Sequence, residues 1–544
     1  MADNNTENKT TEAKDVLPYS YHTFMFPFLW NNGGKKIKRE DFVKCLDETL
    51  WYRENRLDEK IDGQSLIAEY NTYHYFNPAA RNAVYGGEED DSVVWNYCVD
   101  VKRMAENLLH KKTNTPAWLG NSKDKNNPAQ YVIFRKYIKK DKEKGEEPDV
   151  ERKSININGI RLKLFNTGIG ILIFELENYT YQEPDDINWI NEFGRRIYMP
   201  YLKNVDFCDG CAQEIYLEYE GKRIVEGWFN IKPKSPRDTK LAAPITYLLS
   251  NGDYTVTTDE KANNEKLFFI EPIVDDRMFV ACYYINVEYA NWLCEKDGAS
   301  YCYLTDSQTL PLYENANRSS SLYKLVFVDS SYLSCQSTRL LYQMLENHIY
   351  DRWVDWKSLT GVSEYSMITV TNETEEYLAR NFLTEYVEMM ILVLAQRASL
   401  LAFERMISDS TLGRADISEI QTKYIRFQSQ LLLKEVTPQQ QGIELYKMLL
   451  SNLFIAEQTA EVEKQIESLA AHKSSQSESK ENLILFFIAV LGVFETINCL
   501  ADWWNFDEFH WLRITVAVIV TIGAVVAYFV SKDKLKTIFK SKKK

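Results

Sequence analysis

The sequence predicts an α+β cytoplasmic region followed by a long stalk helix and two C-terminal transmembrane helices. Three observations carry this expectation. Strand-patterned and helix-patterned runs alternate up to about residue 371, and helix-start signals cluster from residue 372 onward. Two apolar runs, 483–500 and 511–530, then close the chain, each near the roughly 20 residues needed to cross a bilayer. With 544 residues, 45% of them hydrophobic, the chain can bury a sizeable core and hold more than one domain.

Residues 1–18 are rich in Asn, Thr, Glu and Lys without the apolar stretch of a signal peptide, and read as disordered. Residues 19–371 carry the α+β pattern. Residues 155–164 alternate apolar and polar side chains around Asn158-Gly159, the strongest short hairpin signal, and a further strand follows at 171–174. More strands are expected at 215–219, 224–231, 267–270, 278–287 and 322–328, with helices at 187–197 and 337–353. The charged, Gly-containing stretch 136–153 reads as a flexible inner boundary.

Residues 372–482 read as helical. Asn372 with Glu375, Asp416 with Glu419, and Thr437 with Gln440 each place a capping residue three positions before Glu or Gln, and Pro438 suits a first helical position. The first helix should run to about Ile407 and stop near Gly413; its apolar run 389–395 is too short to span a bilayer and belongs to a core. The third, from Pro438 towards Lys480, repeats Ile443, Tyr446, Leu449, Leu453, Val462 and Ile466 at helical spacing. At about 1.5 Å per residue it would form a rod on the order of 65 Å before the first span. Copies of itself in a bundle would cover such a rod, as would its own domain.

Residues 483–530 read as a transmembrane hairpin, with Trp503, Trp504, Trp511 and Tyr528 as interfacial aromatics. The tail 531–544 is strongly basic, whereas the loop 502–510 has no Lys or Arg. The positive-inside rule then places both termini in the cytoplasm of a multi-pass protein of the inner (plasma) membrane, in contact with the lipid bilayer. Nine scattered cysteines agree with a reducing compartment, and the lone Cys208-Asp209-Gly210-Cys211 lacks the second pair of ligands that zinc needs. Glu495 is an ionisable residue inside the first span, facing a pore or snorkelling to the interface. Heptad spacing offers two pore faces: Asn482, Ala489 and Thr496 with Leu485, Gly492 and Cys499, or Ile484, Leu491 and Asn498 with Ile488 and Glu495. Asp502, Asp507 and Glu508 in the outer loop would concentrate cations at a pore mouth if subunits formed a ring.

A net charge of -14 argues against direct nucleic-acid binding, and the chain carries no Walker A sequence, nucleophile elbow or HExxH, so we expect no enzyme. Asn166-Thr167-Gly168-Ile169-Gly170 leads into a strand and reads as a tight turn. Two charged doublets stand out, Arg195-Arg196 at the end of a predicted helix and Asp275-Asp276 before an apolar strand. Guanidinium forks suit phosphate, and carboxylates suit ribose hydroxyls or a cationic group; a solvated or salt-bridged surface is the plainer reading of each doublet.

From Thr437 onward the order of parts resembles the CorA family of divalent-cation transporters, which are pentamers with a funnel-shaped cytoplasmic domain. The family's Gly-Met-Asn signature falls on Thr496-Ile497-Asn498, where only Asn498 is retained. The resemblance implies a homopentameric pore with Asn498 and Ala489 facing the axis, and leaves magnesium selectivity in doubt. Upstream, Asn166-Thr167-Gly168-Ile169-Gly170-Ile171-Leu172, Gly194-Arg195-Arg196-Ile197-Tyr198 and Leu394-Ala395-Gln396-Arg397-Ala398-Ser399 resemble the CorA-like effectors found beside type III CRISPR systems. That family implies an antiviral ion channel opened by the second messenger SAM-AMP, S-adenosylmethionine conjugated to AMP. Arg195 and Arg196 would then meet its phosphate, and Asp275 and Asp276 a ribose, the amino group or the sulfonium. The alternatives are a magnesium or other divalent-cation transporter gated by intracellular Mg2+, and a non-conducting membrane-anchored scaffold.

Overall fold

Phe24, Phe26 and Phe28 recur at every second position and are wholly buried, as one face of a strand at the centre of a large sheet requires. The computed structural model describes residues 17–31, 38–54, 66–86, 92–113, 128–137, 148–198, 210–225, 241–251, 255–257, 267–297, 300–301, 312–330, 333–413 and 416–503. Two compact units divide the chain, Met1–Val462 and Glu463–Lys544.

The first unit holds a sheet of fourteen described strands: β1 (Ser20–Asn31), β2 (Trp51–Arg53), β3 (Val94–Val99), β4 (Gln130–Tyr137), β5 (Asp149–Phe165), β6 (Ile169–Asn178), β7 (Glu214–Tyr219), β8 (Lys222–Val225), β9 (Thr255–Thr257), β10 (Leu267–Pro272), β11 (Phe279–Ile285), β12 (Ile349–Tyr350), β13 (Ser358–Val362) and β14 (Ser366–Thr371). Its main path runs β12-β13-β14-β11-β1-β6-β5-β4-β7-β8, with β10 and β9 added beside β1, and β3 and β2 beside β5. The β11–β14 and β9–β10 pairs are parallel; the other described pairs are antiparallel. The fold is thus mixed α and β.

The central strand has one interruption that matters. Along one edge β1 pairs with β11 as far as Met25 and with β10 from Phe28. Pro27 lies between and has no amide hydrogen to donate, so the ladder lapses there. The connection from β10 to β11 leaves the sheet at this lapse, and it carries Asp275 and Asp276.

Both faces of the sheet are covered. Ile187, Ile190 and Phe193 of α1 (Pro184–Gly194) and Leu322, Leu325 and Val326 of α2 (Leu312–Val326) join the core that contains Phe24, Leu172 and Phe174. On the other face α3 (Val387–Thr411) packs on β1 and β6, and residues 387–396 are buried all round, the pattern of a core helix. The helix Glu376–Thr411 is long and apolar enough to cross a membrane, but 83% of its most apolar window is buried within the fold. α4 (Ile417–Gln430), α5 (Gln440–Asn452) and α6 (Ile455–Trp503) follow.

Several sequence expectations need correction. Asn158-Gly159 forms no hairpin turn: β5 runs straight through it with a register shift between Ile157 and Gly159, so the dipeptide makes a bulge. The reversal falls instead at Asn166-Thr167-Gly168, where Gly168 takes φ 91, a backbone value glycine adopts without a Cβ clash. Residues 322–328 lie in and just after helix α2, not in a strand, since a short apolar run does not distinguish the two. The expected helix 337–353 ends at His348 and passes into β12. Lys136 and Tyr137 belong to β4, and β5 begins at Asp149; the two strands pair directly, while 138–147 lie outside the described residues. The helix from Pro438 does not run unbroken, because Phe454 adopts φ 57 and separates α5 from α6. α6 then continues for 49 residues, about 74 Å, through the first expected span 483–500. The second span, 511–530, lies outside the described residues.

Candidate functional site

The helix α1 ends at Gly194 with Arg195 as its C-cap residue at φ -87 and ψ 5, and Arg196 follows it into a short bridge. Met278 N donates to Arg195 O at 2.7 Å, Ile197 N donates to Asp276 O at 3.2 Å, and Arg196 bridges Arg277 as an antiparallel pair. The two doublets, far apart in sequence, are therefore cross-strand neighbours. This short pairing sits beside the lapse at Pro27, where the β10–β11 connection is free of the main ladder.

The side chains differ in whether an opposite charge lies at ion-pair distance. Arg196 Nη1 lies 3.0 Å from Asp276 Oδ2, and Arg277 Nε lies 3.1 Å from Asp275 Oδ2 and 3.4 Å from Asp276 Oδ1. Asp275 and Asp276 thus hold protein guanidinium groups and fix the shape of the site. Burial pushes the Asp276 carboxyl up, against the pull of Arg196.

Arg195 is different: it is 2% exposed and has no ion-pair partner among the described residues, and its Nε finds no acceptor. Burial pushes its pKa down to about 10, with Arg277 adding repulsion and Asp275 and Glu192 opposing it. Glu192 is itself engaged, accepting from Ser330 N at 2.7 Å. The Tyr365 ring lies 5.7 Å from Arg195 Cζ and 5.8 Å from Arg277 Cζ, and is 38% exposed. Arg397 of α3 completes the group; its Nη1 donates to Glu364 O at 3.4 Å, its Nε has no acceptor, and burial lowers its pKa while Glu364, Tyr365 and Asp275 counter.

A buried cation without an ion-pair partner is costly, and an anionic oxygen would relieve that cost at Arg195. Planar guanidinium groups suit phosphate, and the half-exposed Tyr365 ring beside them suits a flat aromatic group. The structure brings Arg195, Arg196, Asp275 and Asp276 together. It adds Arg277, Tyr365 and Arg397, for which the sequence held unequal signals: Arg277 adjoins an acidic doublet, Arg397 lies within Leu394-Ala395-Gln396-Arg397-Ala398-Ser399, and Tyr365 carries none. The Asn166-Thr167-Gly168 turn reaches the same helix, with Ser399 Oγ donating to Thr167 Oγ1 at 2.9 Å.

A cavity of about 560 Å³ lies elsewhere, lined in part by Trp51, Tyr247, Asp47 and Asp100. There Trp51 Nε1 donates to Leu248 O, and Asp47 Oδ1 accepts from Thr49 N. Among the described residues no cluster of His, Cys, Asp or Glu could hold a metal ion.

The expected pore positions Ala489, Glu495, Thr496, Asn498 and Asp502 all fall on the unbroken helix α6. At 3.6 residues per turn, positions 495 and 498 recur on one side of it and 489 and 496 on the other, which are the two alternative faces offered by the heptad spacing, with Asp502 expected at the pore mouth. Asp507 and Glu508 lie outside the described residues. Comparisons with protein-family models, curated proteins and solved structures find no match.

Proposed function

We propose that this chain is a ligand-gated membrane effector, a CorA-like homopentameric ion channel of type III CRISPR antiviral defence, opened by SAM-AMP bound in its cytoplasmic α+β region. The observation that carries the reading is Arg195, a buried guanidinium without an ion-pair partner among the described residues, beside the half-exposed Tyr365 ring. Arg195 would take the phosphate and Tyr365 a base. The ion-paired Arg196, Arg277, Asp275 and Asp276 would set the frame, and a ribose or the sulfonium would share carboxylate oxygens that already meet protein groups. The protein would act by binding and gating, without chemistry on the ligand.

The membrane part of the proposal rests on α6. Its apolar segment begins with Ile484, Leu485 and Ile488, which are 57%, 61% and 59% exposed and so need lipid or further subunits to cover them. A second span at 511–530, both termini in the cytoplasm and a plasma-membrane location complete the topology. The permeant ion would be Mg2+ or another cation drawn by Asp502, Asp507 and Glu508.

Ion efflux from liposomes loaded with the purified full-length protein tests the reading. SAM-AMP should raise the flux, and AMP or S-adenosylmethionine alone should not. Flux that follows Mg2+ and ignores SAM-AMP would make the protein a divalent-cation transporter, and no flux under any condition would make it a scaffold.

A further inference from the structure

The turn between β13 and β14 touches the arginine cluster on one side and the root of the long helix on the other. It is short and pinned: Ser363 N donates to Ser366 O at 2.8 Å, Ser363 Oγ donates to Val326 O at 2.8 Å, and both serines are fully buried. On the cluster side it presents the Tyr365 ring to Arg195 and Arg277, and the Glu364 carbonyl to Arg397. On the far side the carbonyl of Val362 accepts from Asn452 Nδ2 at 2.9 Å.

Asn452 is the last residue of α5. Two residues later Phe454 holds φ 57, a conformation that costs an L-residue roughly 1–2 kcal/mol, and α6 begins at Ile455. The junction is therefore strained where it is tied to the turn. Strained backbone of this kind persists only while its surroundings hold it, which suits an element with two arrangements. A second tie keeps the upper part of α5 in place: Gln396, the neighbour of Arg397, donates from Nε2 to Leu431 O at 2.9 Å and to Tyr446 Oη at 3.0 Å. With Tyr446 fixed to α3, a change in the turn falls on the end of α5.

We propose that the Ser363–Tyr365 turn reports occupancy of the arginine cluster to the α5–α6 junction, with Asn452 as the positioning residue that carries the signal. An anion that shifts Arg195 moves the Tyr365 ring packed beside it, and with it the turn whose Glu364 carbonyl holds Arg397. The Val362 carbonyl moves with the turn, and Asn452 passes the shift to Phe454. The inference rests on the cluster being an anion site, as proposed above.

The test is amide hydrogen exchange of residues 453–458 in the full-length protein, with and without SAM-AMP, and with inorganic pyrophosphate as a second probe, alongside calorimetric binding of both. In the wild type, a bound probe should change exchange at 453–458 by about fivefold or more, the lower end of ordinary coupling. Asn452→Ala should bind within about threefold of the wild type and lose that change. Phe454→Gly, which takes φ 57 without strain and leaves Asn452 untouched, should not raise exchange at 453–458 without a probe and should shrink the change a probe brings. Binding that leaves exchange at 453–458 untouched in the wild type, or an unaltered change in Asn452→Ala, overturns the reporter role while leaving the anion site standing. No binding of either probe overturns the site, and the reporter with it.

Discussion

Two buried ionic clusters flank the sheet, and they differ in whether their charges are matched. In the first, Arg161 lies 2.7 Å from Glu175 and also meets Glu388, while Lys163 lies 2.8 Å from Glu388 Oε2 and donates to Val84 O at 2.9 Å. Each cation faces a carboxylate, and the cluster pins α3 to β5 and β6. In the second, Arg196 and Arg277 are matched by Asp276 and Asp275, but Arg195 and Arg397 have no carboxylate at ion-pair distance among the described residues. A matched cluster holds the fold together; the unmatched one is what we propose an anion from outside completes.

The largest expected effect is in the matched cluster. Glu388→Ala leaves Lys163 and part of Arg161 buried without a counter-charge, and should cost about 3–5 kcal/mol of stability, read as a fall in unfolding midpoint. A loss below about 1 kcal/mol would break the distinction between the clusters. The unmatched cluster should behave oppositely. Arg195→Met should leave the midpoint unchanged or raised, while SAM-AMP affinity falls by roughly 10–150-fold, the range of a lost charge-assisted hydrogen bond. Arg196→Ala removes a framing residue already paired with Asp276, so its affinity loss should be smaller, about tenfold or less.

The smallest effects concern pH, and two carboxyls on neighbouring helical turns give opposite signs. Burial pushes Glu388 up, but Lys163 and Arg161 outweigh it and hold its pKa below the ordinary value. Its stabilisation is therefore full above an ordinary carboxyl pKa of about 4.3 and is lost as pH falls below that. Glu385, in the single π-turn Phe382–Tyr386 before α3, has only Arg380 to offset its burial and is pushed up to about 7. Its ionisation costs stability as pH rises from the ordinary carboxyl range towards 7. Glu385→Gln should accordingly raise the unfolding midpoint at pH 8 and leave it unchanged at pH 4; a gain of equal size at both would remove the explanation.

How much of this was legible in the sequence follows from local signal. The strands β6, β7 and β10 and the helices α1, α3 and α4 carried clear periodicity, and Asp416 caps α4 as its spacing implied. β1 was missed because Pro27 interrupts an apolar run, although that interruption is what frees the β10–β11 connection. The break at Phe454 has no glycine or proline to announce it, since the left-handed turn is imposed by packing around Leu453 and Ile455, both buried. The Arg and Asp doublets were visible, but their roles were not. Pairing across Arg196 and Arg277 is tertiary information, and so are the approach of Tyr365 to Arg195 and of Arg397 to the Glu364 carbonyl.

Calorimetric binding of SAM-AMP to the full-length protein and to Arg195→Met, with AMP and S-adenosylmethionine as controls, tests the central claim most directly. The account predicts selective binding to the wild type and a loss of at least about tenfold in the variant, with no loss of stability. Equal affinity in the two proteins would show that Arg195 is no ligand contact and that the unmatched cluster is not the messenger site.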